Sequence, residues 1–243
     1  MTSFSTPSGA RDGYLAIPSS PGPWPAVVMI HEIFGLNDDI RSLSDEAARR
    51  GYLALAPDFF DGGPWLRCMM GAFRQLNARH GEFFDAIEGA RAWLAGREDC
   101  TGSVGVIGFC LGGGFALLAA PRYPFAAACV NYGEVPEDAD ELLRGACPIV
   151  ASYGDRDRAT RGRAHRLQAA LMVAGVEHDV KTYPDVGHGF LNRATYPGVL
   201  PILAKVMGMH AGYDGQVSAD AWARIDTFFG RHLRGREGIV PPG

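Results

Sequence analysis

Basic residues are too few here to make a cationic surface. Lysine and arginine together number 23 against 27 acidic residues, and the formal net charge is −4. That balance excludes a general nucleic-acid binder and a membrane-surface binder. No apolar run is long enough to span a bilayer. The N-terminus lacks a cationic segment leading into an apolar core. Pro7, Pro18, Pro21, Pro23 and Pro25 break it up, so it does not read as a signal peptide. The cysteines (Cys68, Cys100, Cys110, Cys129 and Cys147) are odd in number and have no C-x-x-C spacing. They fit a reducing cytoplasm rather than a disulfide framework, and they suggest no zinc site. The dinucleotide and P-loop glycine patterns are both missing. His31-Glu32 begins like a zincin motif, but Gly35 stands where the second histidine belongs. No cofactor or metal is therefore expected. There is also no internal repeat, low-complexity tract or linker, so residues 1–243 are expected to form one domain.

What is present is apolar and alternating. Hydrophobic residues make up 47% of the chain, ample for a core. Ala26–Ile30, Tyr52–Ala56, Val104–Phe109, Phe125–Val130, Cys147–Tyr153 and Val176–Tyr183 read as strands. Between them lie helical patterns. One is capped by Asn37 or Asp38 and carries Ile40, Leu43 and Ala47 on one face. Others are marked by residues 66–80, by Phe83, Ile87, Ala90 and Leu94, by a short run from Glu137 to Leu143, and by Leu167, Ala170, Leu171 and Ala174. A closing helix carries Trp222, Ile225, Phe229 and Leu233, with Ser218 as its cap. Tyr14–Pro18 reads as a short edge strand. Residues 1–11 and 235–243 are expected to be loosely ordered. Strands alternating with helices predict an α/β fold, a mostly parallel twisted sheet with helices on both faces. In such folds function collects at the carboxyl ends of the strands.

The stretch Val104 to Phe115 organises the rest. A β-branched run leads into Gly108-Phe109-Cys110-Leu111-Gly112, and an apolar helical run follows. This is the pattern of a nucleophile elbow, with cysteine where serine is usual. A helix starting at Leu111 aims its unpaired N–H groups and positive end at the sulfur, which favours the thiolate. His188 follows the last strand between two glycines. Asp155 and Asp157 follow the strand before it, and spacing alone does not separate them. Glu32 follows the first long strand. Nucleophile, acid and histidine come in the order of α/β-hydrolases. In that chemistry Cys110 attacks an acyl carbon, His188 moves the proton and a carboxylate orients the histidine. Ile33 and Leu111 are the natural backbone donors to an oxyanion. Phe34, Phe59, Phe60, Trp65 and Phe190 are candidates for an apolar pocket.

Together His31 to Asn37, Ala56-Pro57-Asp58, Gly108 to Gly113, Gly154-x-x-Asp157 and Gly187-His188-Gly189-Phe190 resemble the dienelactone hydrolase (carboxymethylenebutenolidase) family. The resemblance implies a single α/β-hydrolase domain, a Cys-His-Asp triad and no cofactor. It matches the triad acid to Asp157 and implies a Glu32 that modulates the resting cysteine. It also implies a covalent acyl-enzyme formed on small carboxylic esters or lactones. The sequence departs from the family at the two arginines that hold a substrate carboxylate. Their positions fall on Gly62 and Asn192, with Arg67 and Arg193 nearby as substitutes. The expected partner is a small-molecule ester or lactone in the cytoplasm, with no nucleic acid and no membrane. The oligomeric state stays open between monomer and dimer. The other readings are a ligand-binding or redox-sensing protein on the same fold, and an acyltransferase or thioesterase.

Overall fold

Alternate residues of one strand feed two different cores. The computed structural model describes residues 1–193 and 208–234. In β3 (Trp24–Ile30), Ala26, Val28 and Ile30 enter one cluster, and Val27 and Met29 enter the other. β4 (Leu53–Pro57) divides in the same way, Leu53 and Leu55 against Ala54 and Ala56. A strand buried on both faces must be apolar at every position, which is why these runs do not alternate in the sequence.

Among the described residues the sheet has eight strands in the order β1-β2-β4-β3-β5-β6-β7-β8. The remaining strands are β1 (Thr2–Thr6), β2 (Gly9–Ala16), β5 (Cys100–Phe109), β6 (Ala128–Asn131), β7 (Ile149–Gly154) and β8 (His178–Tyr183). From β4 across to β8 every pairing is parallel, and β1 and β2 are antiparallel. α1 (Asp38–Arg49) and α7 (Gly215–Leu233) cover one face. α2 (Trp65–Ala78), α3 (Glu82–Ala95), α4 (Leu111–Ala119), α5 (Ala139–Leu142) and α6 (Arg163–Ala174) contribute buried residues to the other. The α/β expectation holds. Among the described residues no helix is long and apolar enough to cross a membrane.

Asn37 caps α1 as expected, its side chain accepting from the Ile40 N–H at 3.0 Å. Such a cap contributes about 1 kcal/mol. Three expectations need correction. Residues 1–11 are not a loose lead-in, because β1 and β2 form a hairpin on the sheet edge. Phe4 is its anchor, only 3% exposed in the core beside α3. The strand around Tyr14 is therefore not the edge, since β1 lies outside it. α7 begins before Ser218, with Asp214 as its cap accepting from the Gln216 and Val217 N–H groups. The tail expected to fray, 235–243, lies outside the described residues.

Candidate active site

Parallel pairing puts the ends of β3 and β5 side by side. Ile30 pairs with Gly108, so Glu32 and Cys110 each lie two residues beyond a paired position. Cys110 has φ 55° and ψ −115°, a region a residue with a Cβ avoids. Strain of this kind costs about 1–3 kcal/mol and persists only where the surroundings enforce it. Here they do. The Cys110 N–H donates to the Asn131 carbonyl at 3.0 Å, and its own carbonyl accepts from Gly113 at 3.0 Å and Gly114 at 3.3 Å. A Cβ on Gly108 would overlap the carbonyl of Gly112, and one on Gly112 would overlap the carbonyl of Ile30. The obstacles are backbone and cannot swing aside. Gly112→Ala is therefore expected to lower stability by at least about 3 kcal/mol, or roughly 6–12 °C in Tm. A thermal melt superposing on the wild type would contradict that account of the elbow.

The loop after β8 brings His188 to the same edge. Its N–H donates to the Met209 carbonyl at 2.8 Å and its carbonyl accepts from Gly212 at 3.0 Å. The ring is buried, and Nδ1 donates to Asp157 Oδ2 at 2.6 Å. Asp157 is 1% exposed and also accepts from Thr160 Oγ1 at 2.8 Å and the Ala159 N–H at 3.0 Å. Asp155 faces solvent. Burial separates the two carboxylates that spacing could not. Burial alone would raise the Asp157 carboxyl pKa, but the His188 hydrogen bond and charge, with the two other donors, hold it below its usual value. His188 is pushed the other way, up to about 10. Burial opposes the charged ring, but the Cys110 sulfur and the Asp157 carboxylate outweigh it. Nδ1 is taken by Asp157, which leaves Nε2 for the Cys110 sulfur, a partner of the ring by hydrogen bond and by charge.

Glu32 is 3% exposed at the end of β3. Leu111 is the first residue of α4, so its N–H has no partner within the helix. Ile33 lies half-buried in the loop after β3. Phe34 and Trp65 stack face to face, with centroids 6.1 Å apart and planes 3° apart, and Trp65 is 39% exposed. These two remain candidates for a substrate wall. Phe59, Phe60 and Phe190 do not present such a wall. Phe59 and Phe60 pack in the core with Phe83, and Phe190 is fully buried between Tyr132 and Tyr183.

Neither family position carries a cation, and the nearby Arg193 is bound by other groups. Asn192 is 3% exposed, its Oδ1 accepting from the Tyr132 hydroxyl and its Nδ2 donating to Asp39 at 2.8 Å. Arg193 gives its backbone N–H to Asp39 and its guanidinium to the Tyr213 hydroxyl at 2.9 Å. Arg67 is exposed on α2, and Gly62 lies in an exposed loop. Sequence reasoning missed Tyr132, whose ring lies 4.9 Å from that of His188 and whose φ is 43°. Its position at the end of β6 was the available signal. It also missed Thr160, for which the sequence holds none.

The family model for the dienelactone hydrolase family matches residues 11–233. The chain belongs to that family. This dienelactone hydrolase family member is a hydrolase of carboxylic esters or lactones. It is 27% identical over 245 residues to the carboxymethylenebutenolidase of Rhodococcus opacus, covering 94% of this chain and 89% of that protein. A dienelactone hydrolase structure from Anabaena variabilis shares the fold at a TM-score of 0.66 and 20% identity, covering 96% of this chain and 97% of that one. A dienelactone hydrolase-like promiscuous phosphotriesterase from metagenomic libraries does so at 0.75 and 21%, covering 95% and 96%.

Proposed function

We propose that the protein hydrolyses small carboxylic esters or lactones without a free carboxylate, through an acyl-enzyme on Cys110. The supporting observation for the chemistry is the line from Asp157 through His188 towards the elbow sulfur. The Cys110 thiolate attacks the acyl carbon and forms a C–S bond. The carbonyl electron pair moves to oxygen, where the N–H groups of Ile33 and Leu111 receive the charge. As the C–O bond breaks, His188 Nε2–H protonates the leaving oxygen. Acylation removes the charge on sulfur, and with it a main influence raising the His188 pKa. That eases the transfer of the ring's proton to the leaving oxygen, and the ring, now neutral, takes one from water. That water attacks the thioester, the C–S bond breaks, and acid and thiolate are released. In a lactone the leaving oxygen stays on the same molecule. Glu32 modulates the thiol before substrate arrives.

The neutral substrate follows from Asn192. Where the family carries an arginine, this amide is held inside the protein by Tyr132 and Asp39, and it offers no cation. Phe34 and Trp65 stand at the rim instead. Esterase assays should therefore favour p-nitrophenyl acetate over the monosuccinate ester by about 10-fold or more in kcat/KM. Unfavourable burial of an unpaired carboxylate sets that direction. A preference for the succinate, or rapid turnover of cis-dienelactone carboxylate, would put a cation in the site and overturn the reading.

A further inference from the structure

His31 is buried, 3% exposed, and takes no part in the proposed chemistry. Its Nδ1 lies 2.7 Å from the Glu32 carbonyl oxygen, and its Nε2 lies 3.3 Å from the Phe59 N–H. A carbonyl only accepts, so Nδ1 carries the proton. A backbone N–H only donates, so Nε2 carries a lone pair. Both contacts are satisfied by one species, the neutral Nδ1–H imidazole. Phe59 and Phe60 hold the ring edge-on, with centroids 5.1 Å and 5.0 Å away. Burial keeps the ring neutral, lowering its pKa to about 4.

The Glu32 carbonyl also accepts from the Gly35 N–H at 3.3 Å. That carbonyl and the Ile33 N–H belong to one planar unit. The bond between them is trans, since the cis peptide of the described residues is Gly22–Pro23. In a trans peptide C=O and N–H point opposite ways. Fixing the carbonyl therefore fixes the direction of the Ile33 N–H. The next peptide is held as well, because Trp65 Nε1 donates to the Ile33 carbonyl at 2.8 Å.

We propose that His31 is a positioning residue that aims the Ile33 N–H at the oxyanion through its bond to the Glu32 carbonyl. This rests on the reading of Ile33 as an oxyanion donor. The ring joins the loop after β3 to the loop after β4, and so carries the rigidity of the core to the donor.

Two variants separate its two bonds. In His31→Asn the amide nitrogen replaces Nδ1 and can still donate to Glu32. In His31→Gln the amide oxygen replaces Nε2 and can still accept from Phe59, but the Nδ1 donor is gone. With p-nitrophenyl acetate, His31→Gln is expected to lose about 10- to 100-fold in kcat with little change in KM, the pattern of a misaimed transition-state donor. His31→Asn is expected to recover most of that rate. Alkylation of Cys110 by iodoacetamide forms no oxyanion, so its rate should match the wild type in both variants. A wild-type kcat in His31→Gln overturns the proposal. So does a parallel loss of turnover and alkylation, which would mark a general disturbance of the site. Turnover by the wild type that survives removal of Cys110 would overturn the acyl-enzyme reading instead, whatever the His31 variants show.

Discussion

Cys110→Ala is expected to lower kcat on an activated aryl ester by about 100,000-fold or more, with KM little changed. Without sulfur no acyl-enzyme forms, and the remaining groups have only water to work with. What survives is the contribution of the oxyanion donors and of substrate positioning, and it is small beside the covalent route. The substitution is well suited to the question because alanine keeps the Cβ and the backbone already accepts a side chain at φ 55°. Folding should therefore be intact, and a thermal melt checks it. Mass spectrometry of the wild type quenched during turnover should show one acyl group on Cys110. Equal turnover by the two proteins would move the reaction away from the sulfur. Equal inactivity of two folded proteins would favour a ligand-binding or redox-sensing role for the fold.

The elbow is legible in the sequence because its requirements are local. Glycine two positions either side of Cys110 is demanded by backbone contacts with Gly112 and Ile30, and the sequence carries that demand as Gly-x-Cys-x-Gly. The buried strands were readable for a similar reason, since two-sided burial leaves no polar position. The N-terminal hairpin was not. Phe4 is the one residue of β1 fully buried, and a single apolar residue in a polar stretch gives no period to detect. The choice between Asp155 and Asp157 needed a third dimension, because both precede or join the same turn and only one turns inward. The same holds for Asn192. Its partners Asp39 and Tyr132 lie far away in sequence, so the bonds that hold it inside the protein leave no local mark. In the sequence His31 reads as half of a metal-binding motif that Gly35 breaks, and as the start of a family motif. Its work is a contact with its own neighbour's carbonyl, which no spacing encodes.

Asp157→Asn is expected to lower kcat by about 10,000-fold while leaving the site assembled. Asp157 Oδ2 accepts from both His188 Nδ1 and Thr160 Oγ1. An amide oxygen in the Oδ1 position keeps the bond from the Ala159 N–H and leaves the NH2 group in the Oδ2 position, where an N–H faces His188 and can bond only to an unprotonated Nδ1. The proton moves to Nε2, and the neutral ring is left in the tautomer that cannot take a proton from water. The pH dependence should change in a defined direction. In the wild type the protonated ring is favoured up to about 10, by the sulfur and by Asp157. Loss of the carboxylate removes one of those causes, so the alkaline limb of kcat/KM should move to lower pH. Stability follows the same linkage. A group whose folded pKa is raised, as for His188, stabilises the fold below its unfolded value. That stabilisation is lost as pH rises through about 10. Asp157, held below its usual value, stabilises above the unfolded carboxyl pKa and loses the effect in acid. The variant should therefore show a flatter Tm against pH at both ends. An unchanged alkaline limb together with a wild-type rate would remove Asp157 from the proton path, and the hydrogen bond to His188 would then be a feature of loop packing alone.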